Sequence, residues 1–248
     1  MDAAALVLTP PRAVTAVAAP VLALRRASRS YANGRGLAPI DLKLRAGRFV
    51  ALVGPSGAGK STLLRLLAGL DRPSGGEVLL DGAPRRPARR GDTAVALIFQ
   101  RPHLVGRMRV VDNVLGGRLG NLPRWRGLIG RFTDADWALA LECLDQVGLL
   151  EHANERTDRL SGGEQQRVAI ARALVQQPRA LLADEPVASL DPDNARRVLS
   201  LLRGCADRGL AVLASLHQPD LARAFADQTV ALGAAQVAPT PRAGSLAA

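Results

Sequence analysis

Cysteine is scarce. Cys143 and Cys205 are the only two; they stand without metal-ligand spacing and cannot make a disulfide framework. Aromatic residues make up 3% of the 248 positions, leaving few rings on which nucleic-acid bases could stack. No apolar run approaches the ~18–20 residues needed to cross a bilayer; the best, such as Leu210–Leu216, are strand-sized. At the N-terminus Asp2 replaces a basic start, and Pro10, Pro11 and Pro20 interrupt the apolar stretch, so a cleaved signal is not expected. These absences predict a reduced, soluble, cytoplasmic protein. Lysine is nearly missing too: Lys43 and Lys60 are the only lysines among 33 basic residues, which outweigh 22 acidic ones to give a net charge of +11. Such a balance suits nucleic acid, anionic headgroups or phosphate-rich ligands. The one tight basic cluster, however, is Arg85-Arg86-Pro87-Ala88-Arg89-Arg90, and the other charges are spread as on solvated faces. Charge alone selects no partner.

What is present suffices for a packed core: 48% of the residues are apolar, and the length allows one large α/β domain or two small ones. Short β-type runs at Val21–Ser28, Phe49–Val53, Glu77–Leu80, Val95–Phe99, Ala180–Asp184, Ala211–Leu216 and Thr229–Leu232 alternate with helical patterns. The latter are Lys60–Leu70, Asp136–Val147, Gly163–Gln177, Asn194–Asp207 and Pro219–Ala226. Runs of this length between helices predict strands buried on both faces of a largely parallel sheet. The stretch Arg101–Arg159 lacks a convincing strand and reads as a helical insert. Residues 1–20 read as a disordered extension, 21–234 as a single domain, and 235–248 as a loose tail.

The strongest motif is Gly54-Pro55-Ser56-Gly57-Ala58-Gly59-Lys60-Ser61, an uninterrupted G-x-x-x-x-G-K-[ST]. A buried-strand run precedes it, and the helix continues from it through Thr62. The glycines let backbone N–H groups turn inward as an anion nest at the positive end of a helix dipole. Lys60 would supply a point charge to the β- and γ-phosphates, and the Ser61 hydroxyl could ligate Mg²⁺. ATP or GTP is the expected ligand.

A second motif is Leu160-Ser161-Gly162-Gly163-Glu164-Gln165-Gln166-Arg167. Ser161 and Glu164 form a capping box able to start any helix. Gly162 and Gly163 do more: they strip side chains from the helix N-terminus and leave bare N–H groups for a phosphate arriving from elsewhere. With both motifs the chain resembles the ATP-binding-cassette ATPases, over about residues 21–233. The resemblance assigns Ala180-Leu181-Leu182-Ala183-Asp184-Glu185 as the Walker B strand and its carboxylate, Ser189-Leu190-Asp191 as the D-loop and Gln100 as the Q-loop. It makes His217 the switch histidine and Tyr31 the ring that stacks on adenine. Asp184 and Gln100 would then serve Mg²⁺ alongside Ser61, Glu185 would polarise the attacking water, and His217 would contact the γ-phosphate. Asp191-Pro192 is also a natural helix start.

The resemblance implies a P-loop NTPase (RecA-like) core with an antiparallel β-subdomain and an inserted α-helical subdomain at about 101–159. It implies that two copies pair head to tail, each covering the other's ATP with Ser161, Gly162 and Gly163. It further implies a membrane permease as partner and a place on the cytoplasmic face of the inner membrane. Within the family, Gly117-Arg118-Leu119-Gly120, Trp125-Arg126, Phe132, Val147-Gly148-Leu149, Ala188-Ser189 and Leu216-His217-Gln218 look like the phosphonate-importer ATPases, which work with an external phosphonate-binding protein. Gly47-Arg48, the short Arg85–Arg90 loop and the Pro-rich run after Gln236 depart from the pattern. Two alternatives remain: the same ATPase serving another cargo (phosphate, an amino acid, a lipoprotein), or a nucleic-acid-associated cassette. The second is disfavoured, because only about a hundred residues without sustained heptads separate the P-loop from Leu160; no nucleic-acid partner is expected.

Overall fold

The computed structural model describes residues 19–32, 36–89, 91–122 and 132–233. The predicted Trp125-Arg126 feature, the tail, and all but the last two residues of the predicted extension lie outside these. The central sheet contains β3 (Phe49–Val53), β6 (Val95–Ile98), β7 (Ala180–Ala183), β8 (Ala211–Ser215) and β9 (Gln228–Ala231). Its order is β6-β7-β8-β3-β9, and every pairing is parallel. Side-chain alternation explains the continuous apolar runs. Phe49, Ala51, Leu181, Ala183, Val212 and Ala214 join one core, while Val50, Leu52, Ala180, Leu182, Ala211 and Leu213 join another on the opposite face. A strand covered on both sides has no polar face to display.

Two of the runs read as parallel strands belong elsewhere. β1 (Leu22–Ser30) and β4 (Gly75–Leu80) pair antiparallel with each other, with β2 (Gly36–Leu44) on one edge and the short β5 (Ala83–Pro84) on the other. This is the antiparallel subdomain that the family resemblance implies. Its register slips where Arg26 adopts φ 43°. Gly76 faces that bulge, and a Cβ there would lie 2.2 Å from the Arg26 carbonyl oxygen, so only glycine fits.

α1 (Lys60–Ala68) lies between the two sheets, and its buried Leu63, Leu64, Leu66 and Leu67 share the second core with both. The first core is covered by α2 (Val110–Leu115), α3 (Asp134–Gln146), α4 (Gly162–Leu174), α5 (Pro192–Asp207) and α6 (Pro219–Phe225). α2, α3 and α4 pack mutually, and buried Asn113 ties their loops together. Its amide donates to Thr157 Oγ1 (2.9 Å) and Val105 O (3.1 Å), and its oxygen accepts from Val105 N (2.8 Å).

Candidate nucleotide site

β7, β8 and β3 are neighbours and parallel, so their C-terminal ends meet at one edge of the sheet, where ligands of such folds bind. β3 delivers the P-loop. Gly54, Gly57 and Gly59 take φ of 154°, 81° and 94°, and a Cβ on Gly59 would stand 2.9 Å from the Gly36 carbonyl oxygen. Gly59 caps α1 with no side-chain bond, so the first-turn N–H groups are left for a ligand. The Lys60 side chain is buried, and its ammonium donates to the carbonyls of Gly54 (2.8 Å) and Pro55 (3.1 Å). Ala58 N–H closes the turn on Pro55 O (3.2 Å).

A cleft of about 400 Å³ opens over this loop, lined by Ser56, Gly57, Gly59, Lys60, Ser61 and Thr62 together with Tyr31 and Glu185. Tyr31 is fixed from two sides: its hydroxyl donates to Asp71 Oδ2 (2.8 Å), and the Arg29 guanidinium sits 4.9 Å from its ring centre. Burial by itself pushes the Asp71 carboxyl up, but the bonds from Tyr31 and Arg65 and the charges of Arg65 and Arg29 outweigh it, so it lies below the usual range.

β7 delivers Asp184 and Glu185. Asp184 N–H continues the ladder to Ile98 O (2.8 Å), and Asp184 Oδ1 accepts the Ser215 hydroxyl at 2.9 Å. Glu185 has φ 47°, a costly conformation for a non-glycine residue. Its N–H donates to Ser215 Oγ at 2.7 Å, and its carboxylate meets His217 Nε2, just beyond β8, at 2.5 Å. Gln100 follows β6 at the same edge of the sheet but is exposed and does not line the cleft. The loop after it is pinned by Arg172 of α4, which donates to Pro102 O (2.5 Å) and His103 O (2.8 Å). Burial draws the Arg172 pKa down.

Ser161, Gly162, Gly163 and Asp191 stand apart from that cleft. Ser161 caps α4: its hydroxyl and its N–H both donate to Glu164 Oε2 at 2.8 Å, holding the Glu164 carboxyl below the usual range. Ser161 and Gly162 are exposed, whereas Gly163 is buried. A Cβ on Gly163 would lie 2.7 Å from Asn194 Cγ. Asn194 in turn donates to Asp191 Oδ2 (2.6 Å), whose other oxygen caps α5. The glycine motif and the predicted D-loop aspartate therefore meet through one amide. Asn194, Arg172 and Ser215 had no motif to announce them. The one signal for Ser215 was a single hydroxyl in the otherwise apolar run Ala211–Leu216.

The family model described as "ABC transporter" matches residues 37–188. The chain belongs to the ABC transporter family. Among curated relatives, the hypophosphite import ATP-binding protein of Stutzerimonas stutzeri is 49% identical over 219 residues, 85% of this chain and 64% of that one. The phosphonates import ATP-binding protein of Burkholderia pseudomallei is 49% identical, covering 86% of this chain and 73% of that protein. Its namesake in Trichodesmium erythraeum is 44% identical over 88% and 85%. The chain thus spans just under two thirds of the first of these. Among solved structures, a dimeric ATP-binding cassette in a post-hydrolysis state, bound to ADP and Pi, matches with a TM-score of 0.70 and 32% identity, covering 85% of this chain and 94% of that one. The ADP conformation of another cassette shares the fold at a TM-score of 0.77 and 21% identity, covering 87% and 88%. Among the described residues of this ABC protein, no helix is long and apolar enough to cross a membrane.

Proposed function

We propose that this chain is the ATP-hydrolysing subunit of an importer for phosphonates or a kindred phosphorus oxyanion, working as a head-to-tail pair. The observation that carries the reading is the meeting of a complete P-loop with Glu185 in one cleft, its carboxylate against His217, while Ser161, Gly162 and Gly163 do not line that cleft. A helix N-terminus stripped to glycine, with Ser161 and Gly162 exposed, has phosphate-binding capacity that its own cleft does not use. A second copy supplies the phosphate, and ATP between the two acts as the shared ligand that stabilises the pair.

In this reading Lys60 and the loop N–H groups hold the triphosphate, and Tyr31 supports the adenine. Glu185 orients the attacking water and accepts its proton, and His217 braces that carboxylate beside the γ-phosphate. The Ser61 hydroxyl and the Asp184 carboxylate are hard oxygen donors that fit Mg²⁺, with Gln100 at the same sheet edge. An ion held there would help neutralise the charge of the triphosphate. Asp191 and the glycines of the partner complete the enclosure. Hydrolysis splits the charge between ADP and phosphate, and repulsion opens the pair.

The permease surface is the loop between β6 and α2, where Phe99, Val105 and Met108 are 41%, 55% and 40% exposed. Three large apolar side chains left in water on one loop offer a contact surface to a partner. Such docking places the chain at the cytoplasmic face of the inner membrane. The cargo reading rests on the names of the relatives, since this subunit does not itself touch cargo; an external phosphonate-binding protein would present it. Growth of a strain lacking this gene, with a phosphonate or hypophosphite as sole phosphorus source, tests the assignment. Growth fails on the cargo and returns with the gene; undiminished growth on both sources refutes the cargo. Glu185→Gln tests the chemistry. Hydrolysis falls about a hundredfold or more while an ATP-bound dimer accumulates on size exclusion, and normal turnover would remove Glu185 from its role.

A further inference from the structure

We infer that Ser215 is a positioning residue for ATP hydrolysis, setting the cleavage carboxylate through one buried hydroxyl. The inference rests on the nucleotide site proposed above and concerns a residue outside every motif. Ser215 is fully buried at the end of β8, and no other side chain in that strand is polar. Its Oγ makes two bonds of opposite sense: it donates to Asp184 Oδ1 (2.9 Å) and accepts from Glu185 N–H (2.7 Å). A hydroxyl has one proton to give, so donation to the carboxylate turns its lone pairs towards the amide. Each bond fixes the geometry of the other.

The amide it holds belongs to a residue that needs holding. Glu185 sits at φ 47°, where non-glycine residues persist only if their surroundings over-determine them. Without an acceptor, that peptide has reason to turn towards water, carrying the Glu185 carboxylate away from His217 and from the P-loop cleft. The same strand end supplies both anchors: Ser215 fixes the Glu185 backbone, and His217, two residues on, meets its side chain. A backbone hydroxyl cap alone would have no need of Asp184. The double bond pattern instead locks the two adjacent carboxylates in one mutual orientation, with Asp184 Oδ2 left outside it.

The test compares purified full-length wild type, Ser215→Ala and Ser215→Thr. ATPase rates are measured against ATP concentration, together with the Kd of a fluorescent ATP analogue. Ser215→Ala is expected to lower kcat about tenfold or more, the rate equivalent of one lost buried hydrogen bond, with analogue Kd within about twofold of wild type, since Lys60 and the loop are untouched. Ser215→Thr retains the hydroxyl and restores at least half of the lost rate. Three results overturn the inference: unchanged kcat in Ser215→Ala, a loss of analogue binding as large as the loss of rate, or a threonine variant no better than alanine. A wild type that binds the analogue but hydrolyses nothing refutes the proposed function instead, and so is distinguished from failure of this inference.

Discussion

Asp136 gives the sharpest quantitative test of how the helical region is held. It is the third residue of α3 and 4% exposed. Its carboxylate takes three donors: Thr133 N–H (3.1 Å), the Thr133 hydroxyl (2.8 Å) and Arg118 Nε (2.8 Å). Asp136→Ala removes the side-chain half of the capping box, the two bonds from Thr133, worth about 1 kcal/mol, while the backbone N–H at 136 keeps its bond to the Thr133 hydroxyl. It also strands a mostly buried guanidinium, for which loss of a partner costs ~3–5 kcal/mol. The lower end applies, because Arg118 keeps a 3.4 Å bond to Val175 O and 17% of its side chain reaches solvent. The expected loss is therefore about 4 kcal/mol, measured by urea unfolding followed by circular dichroism at pH 7.

Acid supplies the internal check. Burial alone pushes the Asp136 carboxyl up, but the bonds from Thr133 and Arg118 and the charge of Arg118 overcome it, so the folded-state pKa lies below the ordinary value. A depressed carboxyl contributes stability above its unfolded pKa of about 3.9 and loses it as pH falls through the folded value. The gap between wild type and Asp136→Ala is full at neutral pH and closes below about pH 4. Adding Arg118→Met to Asp136→Ala removes the stranded charge and recovers about 1–2 kcal/mol. A single-variant loss under about 1 kcal/mol, or a double variant no better than the single, refutes this reasoning.

Two further outcomes follow from the same geometry. Lys60→Ala removes a buried ammonium from the P-loop and weakens nucleotide binding about tenfold or more, read by titration with a fluorescent ATP analogue; equal affinity would exclude Lys60 from the phosphate site. Gly163→Ala places a methyl 2.7 Å from Asn194 Cγ, so it lowers Tm and ATPase activity in the wild-type background. In the Asn194→Ala background, which removes Cγ and Oδ1 and leaves only Cβ at 3.1 Å, the Tm penalty is smaller; an equal Tm penalty in both would contradict the contact.

The strands buried on both faces were legible because their runs are almost wholly apolar: Phe49–Val53 was predicted to the residue. β2 was not. Pro39 and Gly36 weaken its pattern, and its burial alternates as an edge strand's does, so no apolar run announces it. α2 is only six residues long and gives too few turns for a helical period to show. The P-loop and the glycine motif were readable because their chemistry is local: backbone turns and a helix end are written in adjacent residues. Ser215 and Asn194 are different. Each matters through a residue 20 or more positions away, Ser215 to Asp184 and Asn194 to Gly163, and a linear sequence does not state which strand ends will adjoin.

ATPase rate per subunit, measured from high to low protein concentration, tests most directly the claim that each catalytic cleft is closed by the helix end of a second copy. The account predicts that specific activity falls towards zero on dilution, as pairs separate. A specific activity that stays constant down to concentrations where the protein sediments only as a monomer, even with ATP bound, would contradict it.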